Sequence, residues 1–199
     1  RARMTPDVRL GVLASGRGSN LRNLAELGYR LVGVATNRPS CGAAAIARER
    51  GIPLGEFSQR RFASLEERDA AMCDWLKERE AELVVNAGYD RILSTGFVAF
   101  FAGRMLNVHP SLLPAFGGGM DAVERALMHG VKVTGCTVHL VTDEVDAGPI
   151  LVQAAVRVKP DDTAASLHAR IQLEEHRILP EAIELLARSL AEKSAPLSK

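Results

Sequence analysis

A short apolar run, Val8 to Ala14 (VRLGVLA), passes directly into Ser15-Gly16-Arg17-Gly18-Ser19-Asn20 and then into Leu21-Arg22-Asn23-Leu24-Ala25-Glu26-Leu27. The first stretch has the pattern of a buried strand. The leucines at 21, 24 and 27 recur at helical spacing. Strand, glycine loop and helix in immediate succession constrain the fold strongly. Such a unit packs back on a sheet as a right-handed crossover between parallel strands.

The loop also carries chemistry. A glycine turn into a helix start aims free backbone N–H groups and the positive helix end at one point. Gly16 and Gly18 permit positive φ and close approach of an anion, and Ser19 and Asn20 are able to cap the helix or donate to that anion. A dinucleotide fingerprint is not completed: position 21 is Leu21, and the second strand runs into Asn37-Arg38 rather than an acidic residue. No Gly-Lys-Ser/Thr follows either. A single phosphomonoester fits better than a pyrophosphate, with a plain tight turn as the competing reading.

The pattern then repeats. Tyr29–Thr36 reads as a strand, and Ala43–Arg50 as a helix stopped by Gly51. Ile52–Phe57 is a third strand, and Ser64-Leu65-Glu66-Glu67 a capping box opening a helix to about Arg79, with Met72, Trp75 and Leu76 facing the core. Leu83–Ala87 is a fourth strand, Ser94 caps a helix over 95–101, and Arg104–His109 is a fifth strand. Gly117-Gly118-Gly119 predicts a mobile loop before a helix over 120–129 that Gly130 closes. Val131–Val141 alternates as a half-exposed strand does, and Ile150–Val158 follows closely enough to pair with it antiparallel. Thr163 caps a long amphipathic helix that Pro180 kinks or restarts and that Ala182–Leu190 continues. The expectation is one α/β domain over 1–199: a Rossmann-like three-layer sandwich, its central sheet mostly parallel, with antiparallel C-terminal strands, a long C-terminal helix, and frayed tails at 1–6 and 192–199.

Composition narrows the function classes. The net charge of +1 gives no electrostatic case for nucleic acid or a membrane surface. The longest apolar runs are too short to span a bilayer, and the first residues carry no apolar core of a signal peptide. Cys41, Cys73 and Cys136 lack zinc-like or redox spacing and read as free, mostly buried thiols of a cytoplasmic protein. The five histidines form no H-x-x-x-H pair, so a metal site is not indicated.

Three polar features fall on predicted strand ends. The first is the phosphate-type loop. The second is Asn107 with His109, two apart and so on one face of the fifth strand, where Pro110 holds His109 out of the helical region. An isolated pair of that kind is most often a strand end with a structural histidine. The third is the acidic turn Thr142-Asp143-Glu144-Val145-Asp146-Ala147-Gly148-Pro149. A carboxylate beside a histidine orients it and favours its charged form. No nucleophile elbow and no loop cysteine is evident. Asn, His and Asp then suit acyl transfer to a nucleophile that a substrate carries.

The segments S-G-R-G-S-N-L (15–21), A-G-Y-D-R-I-L-S (87–94), L-N-V-H-P-S-L-L-P (106–114), G-C-T-V-H-L-V-T-D-E-V-D-A-G-P-I (135–150) and E-H-R-I-L-P (175–180) together resemble the folate-dependent formyltransferase family over nearly the whole chain. The glycine loop resembles its glycinamide ribonucleotide branch. The resemblance implies 10-formyltetrahydrofolate as co-substrate and glycinamide ribonucleotide as acceptor, in a monomer or homodimer. It implies Asn107, His109 and Asp146 as catalytic residues, with Asn107 stabilising an oxyanion, His109 donating a proton and Asp146 assisting it. Gly18, Ser19 and Asn20 would hold the substrate phosphate, and Glu175 would contact the nucleotide. Asp90, Arg91, Ile92 and Leu93 would bind the pterin with Asn107, between Val98 and Val141, and His139 and Thr142 would support the site.

The chain departs from that family's pattern at Asp90 (usually Met), at Asn86, at Leu65 (an Arg able to meet the folate tail) and at Gly117–Met120, where a Pro and a His are lost. Within the family, a transfer-RNA-directed formyltransferase would bring a basic C-terminal extension and a deformylase an N-terminal regulatory domain. Outside it, a dinucleotide-dependent oxidoreductase and a non-enzymatic nucleotide-binding module are the competing readings.

Overall fold

The computed structural model describes residues 6–194. Seven strands form one sheet in the order β3-β2-β1-β4-β5-β6-β7. They are β1 (Leu10–Leu13), β2 (Leu31–Thr36), β3 (Leu54–Glu56), β4 (Leu83–Asn86), β5 (Met105–His109), β6 (Val133–Leu140) and β7 (Ile150–Arg157). The first five are parallel, while β5–β6 and β6–β7 are antiparallel. The expected three-layer, mostly parallel architecture is thus the observed one. Chain order reverses between β1 and β4, which makes the carboxyl ends of those strands the natural ligand site of an open α/β sheet.

Side-chain alternation builds two cores. Leu10, Val12, Leu83, Val85, Leu106 and Val108 face α1 (Ser19–Glu26), α2 (Gly42–Glu49), α5 (Ala122–His129) and α6 (Ala164–Ser194). Leu13, Val84 and Met105 face α3 (Leu65–Glu78) and α4 (Thr95–Phe100). The first of these apolar layers, with its four helices, covers one side of the sheet. On the other side only α3 and α4 pack, so the sheet beyond them, over β5 and β6, lacks a helical cover. Asn107 and His109, at the same parity as Met105, lie on that less-covered face.

Local chemistry explains the helix ends. Ser64 Oγ accepts from the Glu67 amide at 3.0 Å, and the Glu67 carboxylate reaches back to the Ala63 amide at 2.8 Å, closing the box one residue early. Ser94 Oγ accepts from the Phe97 amide at 3.3 Å, and Thr163 Oγ1 from the Ser166 amide at 3.1 Å. Gly51 and Gly130 end their helices with φ of 65° and 73°.

Four expectations are corrected. First, of the kink or restart expected at Pro180, the restart does not occur: α6 is one helix through it. Proline leaves the carbonyl four residues earlier without its helical donor, and Asn23 Nδ2 supplies the missing bond to His176 O at 2.9 Å. Second, α6 keeps residues 192–194 helical; the remaining tail predictions at 1–5 and 195–199 lie outside the described residues. Third, β6 is buried through its centre instead of half-exposed. The segment Ser111–Leu113 covers its second face: the Leu113 amide donates to Thr137 Oγ1 at 3.1 Å, and that hydroxyl donates to Ser111 O at 2.7 Å. Fourth, only Cys136 is a buried thiol; Cys73 is half-buried, as is Cys41, whose Sγ caps α2 at the Ala44 amide. Among the described residues no helix is long and apolar enough to cross a membrane.

Candidate active site

Two cavities meet at the carboxyl end of β5. Val108 lines one of about 250 Å³, and the next residue, His109, lines another of about 340 Å³. Consecutive strand residues face opposite sides of the sheet, so the end of β5 is the partition between them.

The smaller cavity is built from the β1–α1 loop, Gly88 and α6. Gly18 holds the left-handed turn, with φ of 79°, and a Cβ there would sit 2.7 Å from Ala43 Cα. Glycine is therefore required at 18; Gly16 has neither a positive φ nor a close neighbour. Gly18, Ser19 and Asn20 line the cavity as expected, and no side chain caps α1, which leaves its first amides without a capping partner. The Asn20 side chain meets Glu175, which lines the same cavity. Its Nδ2 donates to Glu175 Oε2 at 3.0 Å, and its Oδ1 is buried without a partner. Burial at 5% exposure pushes the Glu175 pKa up to about 7, against which the Asn20 bond acts only in part. Arg17, His168 and Gln172 also line this cavity, and sequence reading missed them. His168, Gln172 and Glu175 follow i, i+4, i+7 spacing on one face of α6, a polar stripe that was readable. Burial, and then the Arg17 charge, lower the His168 pKa.

The larger cavity brings Asp90, Arg91, Ile92, Leu93, Val98, Val141, Thr142, His139, His109 and Asp146 together. Asn107 does not line it and is tied to it through His139 and Asp146, which do. In the antiparallel register Asn107 faces His139, and its Nδ2 is 3.1 Å from His139 Nε2 and 3.3 Å from Asp146 Oδ1. His139 Nδ1 lies 2.9 Å from Leu140 O. A carbonyl only accepts, so Nδ1 carries a proton; Nε2 accepts from Asn107 in the neutral ring and, in the charged ring, pairs with Asp146 Oδ1 at 3.6 Å. His109 Nε2 likewise donates to Phe116 O at 3.0 Å, and its Nδ1 is 3.5 Å from Asp146 Oδ2. One carboxylate thus bridges Asn107, His109 and His139. Burial alone would raise the Asp146 pKa; the His139 and Gly118 hydrogen bonds and the charges of His109 and His139 outweigh it, and the pKa is lowered.

Asp146 is aimed by its backbone. It takes φ of 54°, and two residues later Gly148 passes so close to β6 that a Cβ would lie 1.8 Å from Leu140 O. The Gly117–Gly119 segment, expected to be mobile, is fastened: Gly118 donates to Asp146 Oδ2 at 2.8 Å, and Arg125 Nη1 donates to Gly117 O at 3.0 Å. Thr142 Oγ1 donates to Glu144 O at 3.2 Å and so shapes the acidic turn. Asp90 is answered by neighbours. Asn37 Nδ2 donates to its Oδ1 at 2.8 Å, Arg38 pairs with its Oδ2, and its amide donates to Ser15 Oγ at 3.1 Å.

Two cavities separated by one strand end, with a polar triad at the partition, give the layout of an α/β transferase that brings two small ligands together. A family model described as formyl transferase matches residues 8–183, and the chain belongs to that family. It is 45% identical over 184 residues to phosphoribosylglycinamide formyltransferase of Mycobacterium tuberculosis, covering 90% of this chain and 85% of that protein. It is 43% identical over 185 residues to the human trifunctional purine biosynthetic protein adenosine-3, covering 90% of this chain; the chain spans only 18% of that relative's length. Glycinamide ribonucleotide transformylase 1 from Symbiobacterium toebii superposes with a TM-score of 0.87 at 43% identity, covering 92% of this chain and 88% of that one.

Proposed function

We propose that this protein transfers the formyl group of 10-formyltetrahydrofolate to the amine of glycinamide ribonucleotide, a step of purine biosynthesis. The carrying observation is the placing of Asn107, His109 and Asp146 at the wall between a cavity with a phosphate-type loop and an apolar slot. The relatives named above, one a phosphoribosylglycinamide formyltransferase and one a purine biosynthetic protein by name, support the same reading.

The nucleotide phosphate sits on the amides of Gly18, Ser19 and Asn20 with Arg17 beside it, and Glu175 meets the nucleotide. The pterin enters between Val98 and Val141 against Asp90–Leu93. The acceptor amine attacks the formyl carbon across the end of β5 and forms a tetrahedral oxyanion. Asn107 Nδ2 then exchanges its long 3.3 Å bond to Asp146 for one to that oxyanion. The carbon–nitrogen bond to the folate breaks, the leaving nitrogen takes a proton from the His109 imidazolium, and the proton that the attacking nitrogen loses passes to His109 and restores it. His109 Nε2–H must leave Phe116 O to do this. Asp146 stabilises the imidazolium and the relay.

The test follows folate absorbance on mixing the protein with glycinamide ribonucleotide and the 10-formyl cofactor. Turnover that requires both substrates is expected; none with natural or deaza cofactor refutes the proposal.

A further inference from the structure

Beneath the loop Asp90–Leu93 lies an ion pair that the proposed chemistry does not use. Arg68 and Asp69, consecutive in α3, are 1% and 0% exposed. Arg68 Nε donates to Asp69 Oδ1 at 2.7 Å. The rest of each group is spent beyond the pair. Arg68 Nη1 donates to Gln59 Oε1 at 3.1 Å, Arg68 Nη2 donates to Ile92 O at 3.0 Å, and Asp69 Oδ2 accepts from the Ser94 amide at 2.6 Å. The peptide groups on either side of Leu93 are therefore held by opposite charges.

The surroundings are apolar: Met72, Leu76, Phe97 and Phe101 belong to the same buried layer. Taking two charges out of water is costly, and a packed apolar pair often stabilises a fold as well. What an apolar pair does not supply is direction. The guanidinium fork fixes three acceptors in one plane, and the carboxylate fixes an amide. Ile92 and Leu93 line the larger cavity, and Ser94 goes on to cap α4.

We propose that Arg68 and Asp69 are positioning residues for the cofactor site, orienting the Ile92 carbonyl and the Ser94 amide and thereby the backbone edge that the loop presents to the pterin. The inference rests on the reading of Asp90–Leu93 as the folate loop. It predicts an effect on cofactor binding that is separate from an effect on folding.

The test uses the full chain with the double substitution R68M/D69L, which removes the charges and keeps apolar bulk. The expected result is a cooperative melt near that of the unsubstituted protein, kcat and nucleotide KM within about twofold, and cofactor KM raised about tenfold to a hundredfold, the size of effect that misplaced binding groups give. Amide exchange at Ser94 should accelerate. If the double variant does not fold, R68K serves in its place. Lysine keeps the charge beside Asp69 but as a single point donor cannot hold Gln59, Ile92 and Asp69 together, and the same selective rise in cofactor KM is expected. An unchanged cofactor KM in whichever variant folds overturns the proposal, as does an equal loss in both KM values tracking the melting temperature. Ile92, 72% exposed, supplies the control. If I92E raises cofactor KM and the α3 variants do not, the positioning role alone falls. If I92E leaves it unchanged, the loop is not the folate loop and both readings fall.

Discussion

Glu175 sets stability against binding, and E175Q separates the two. The side chain is 5% exposed, and its pKa is pushed from 4.5 up to about 7, chiefly by burial. At about 1.4 kcal/mol per unit, that difference corresponds to about 3 kcal/mol. The sign follows from linkage. Between pH 4.5 and about 7 the folded state holds a proton that the unfolded state has released, so stability falls as pH rises through this window and levels off above it. Glutamine does not titrate, and its amide is able to donate to Asn20 Oδ1, which has no partner among the described residues. E175Q should match the unsubstituted protein at acid pH and exceed it by about 3 kcal/mol at pH 8. For a chain of this size that is roughly 6–12 °C in Tm. The assay is guanidinium denaturation of both proteins at several pH values across the window, paired with nucleotide KM at pH 8. KM should rise, because the carboxylate meets the nucleotide. A stability difference that does not vary with pH refutes the argument, because it removes the titration on which the sign depends.

Asp146→Asn should keep the fold and lower kcat by roughly 10²–10⁴; near-normal kcat would exclude a role in the proton relay. Because the Asp146 pKa is lowered from 3.8, its contribution to stability is present above that value and lost as pH falls, so the stability gap between the two proteins should close on acidification. Arg17→Ala should raise KM for the phosphorylated substrate more than KM for the cofactor, and a change confined to the cofactor would move the phosphate elsewhere. Asn23→Ala should cost about 1–3 kcal/mol in denaturation, the penalty of leaving the His176 carbonyl unpaired; a smaller loss would mean that water satisfies that carbonyl.

Much of the fold was legible because its determinants are local. The Val8–Leu27 unit, the Ser64 box, the Ser94 and Thr163 caps and the glycine stops each act within a few residues, and each lies where the pattern put it. The pairing of Asn107 with His109 on one face follows from strand geometry alone. Alternation misjudged β6, because it registers side-chain polarity and not what covers the strand. Thr137 is polar and fully buried, satisfied by Ser111, Leu113 and Gln153 from distant segments. Pro180 misled for the same reason, since its remedy is a side chain about 150 residues away in sequence.

The sequence by itself determined the layered α/β class, the glycine loop and the residue types that the chemistry requires. Tertiary structure decided how those residues meet. The carboxylate of Asp146 reaches Asn107, His109 and His139 only because β5 and β6 pair antiparallel and the chain turns through a left-handed residue at 146. The charges of Arg68 and Asp69 reach the loop at 92–94 only because α3 packs beneath it. Periodicity records which face a residue takes within its own element; register and packing decide which residues it meets across the fold.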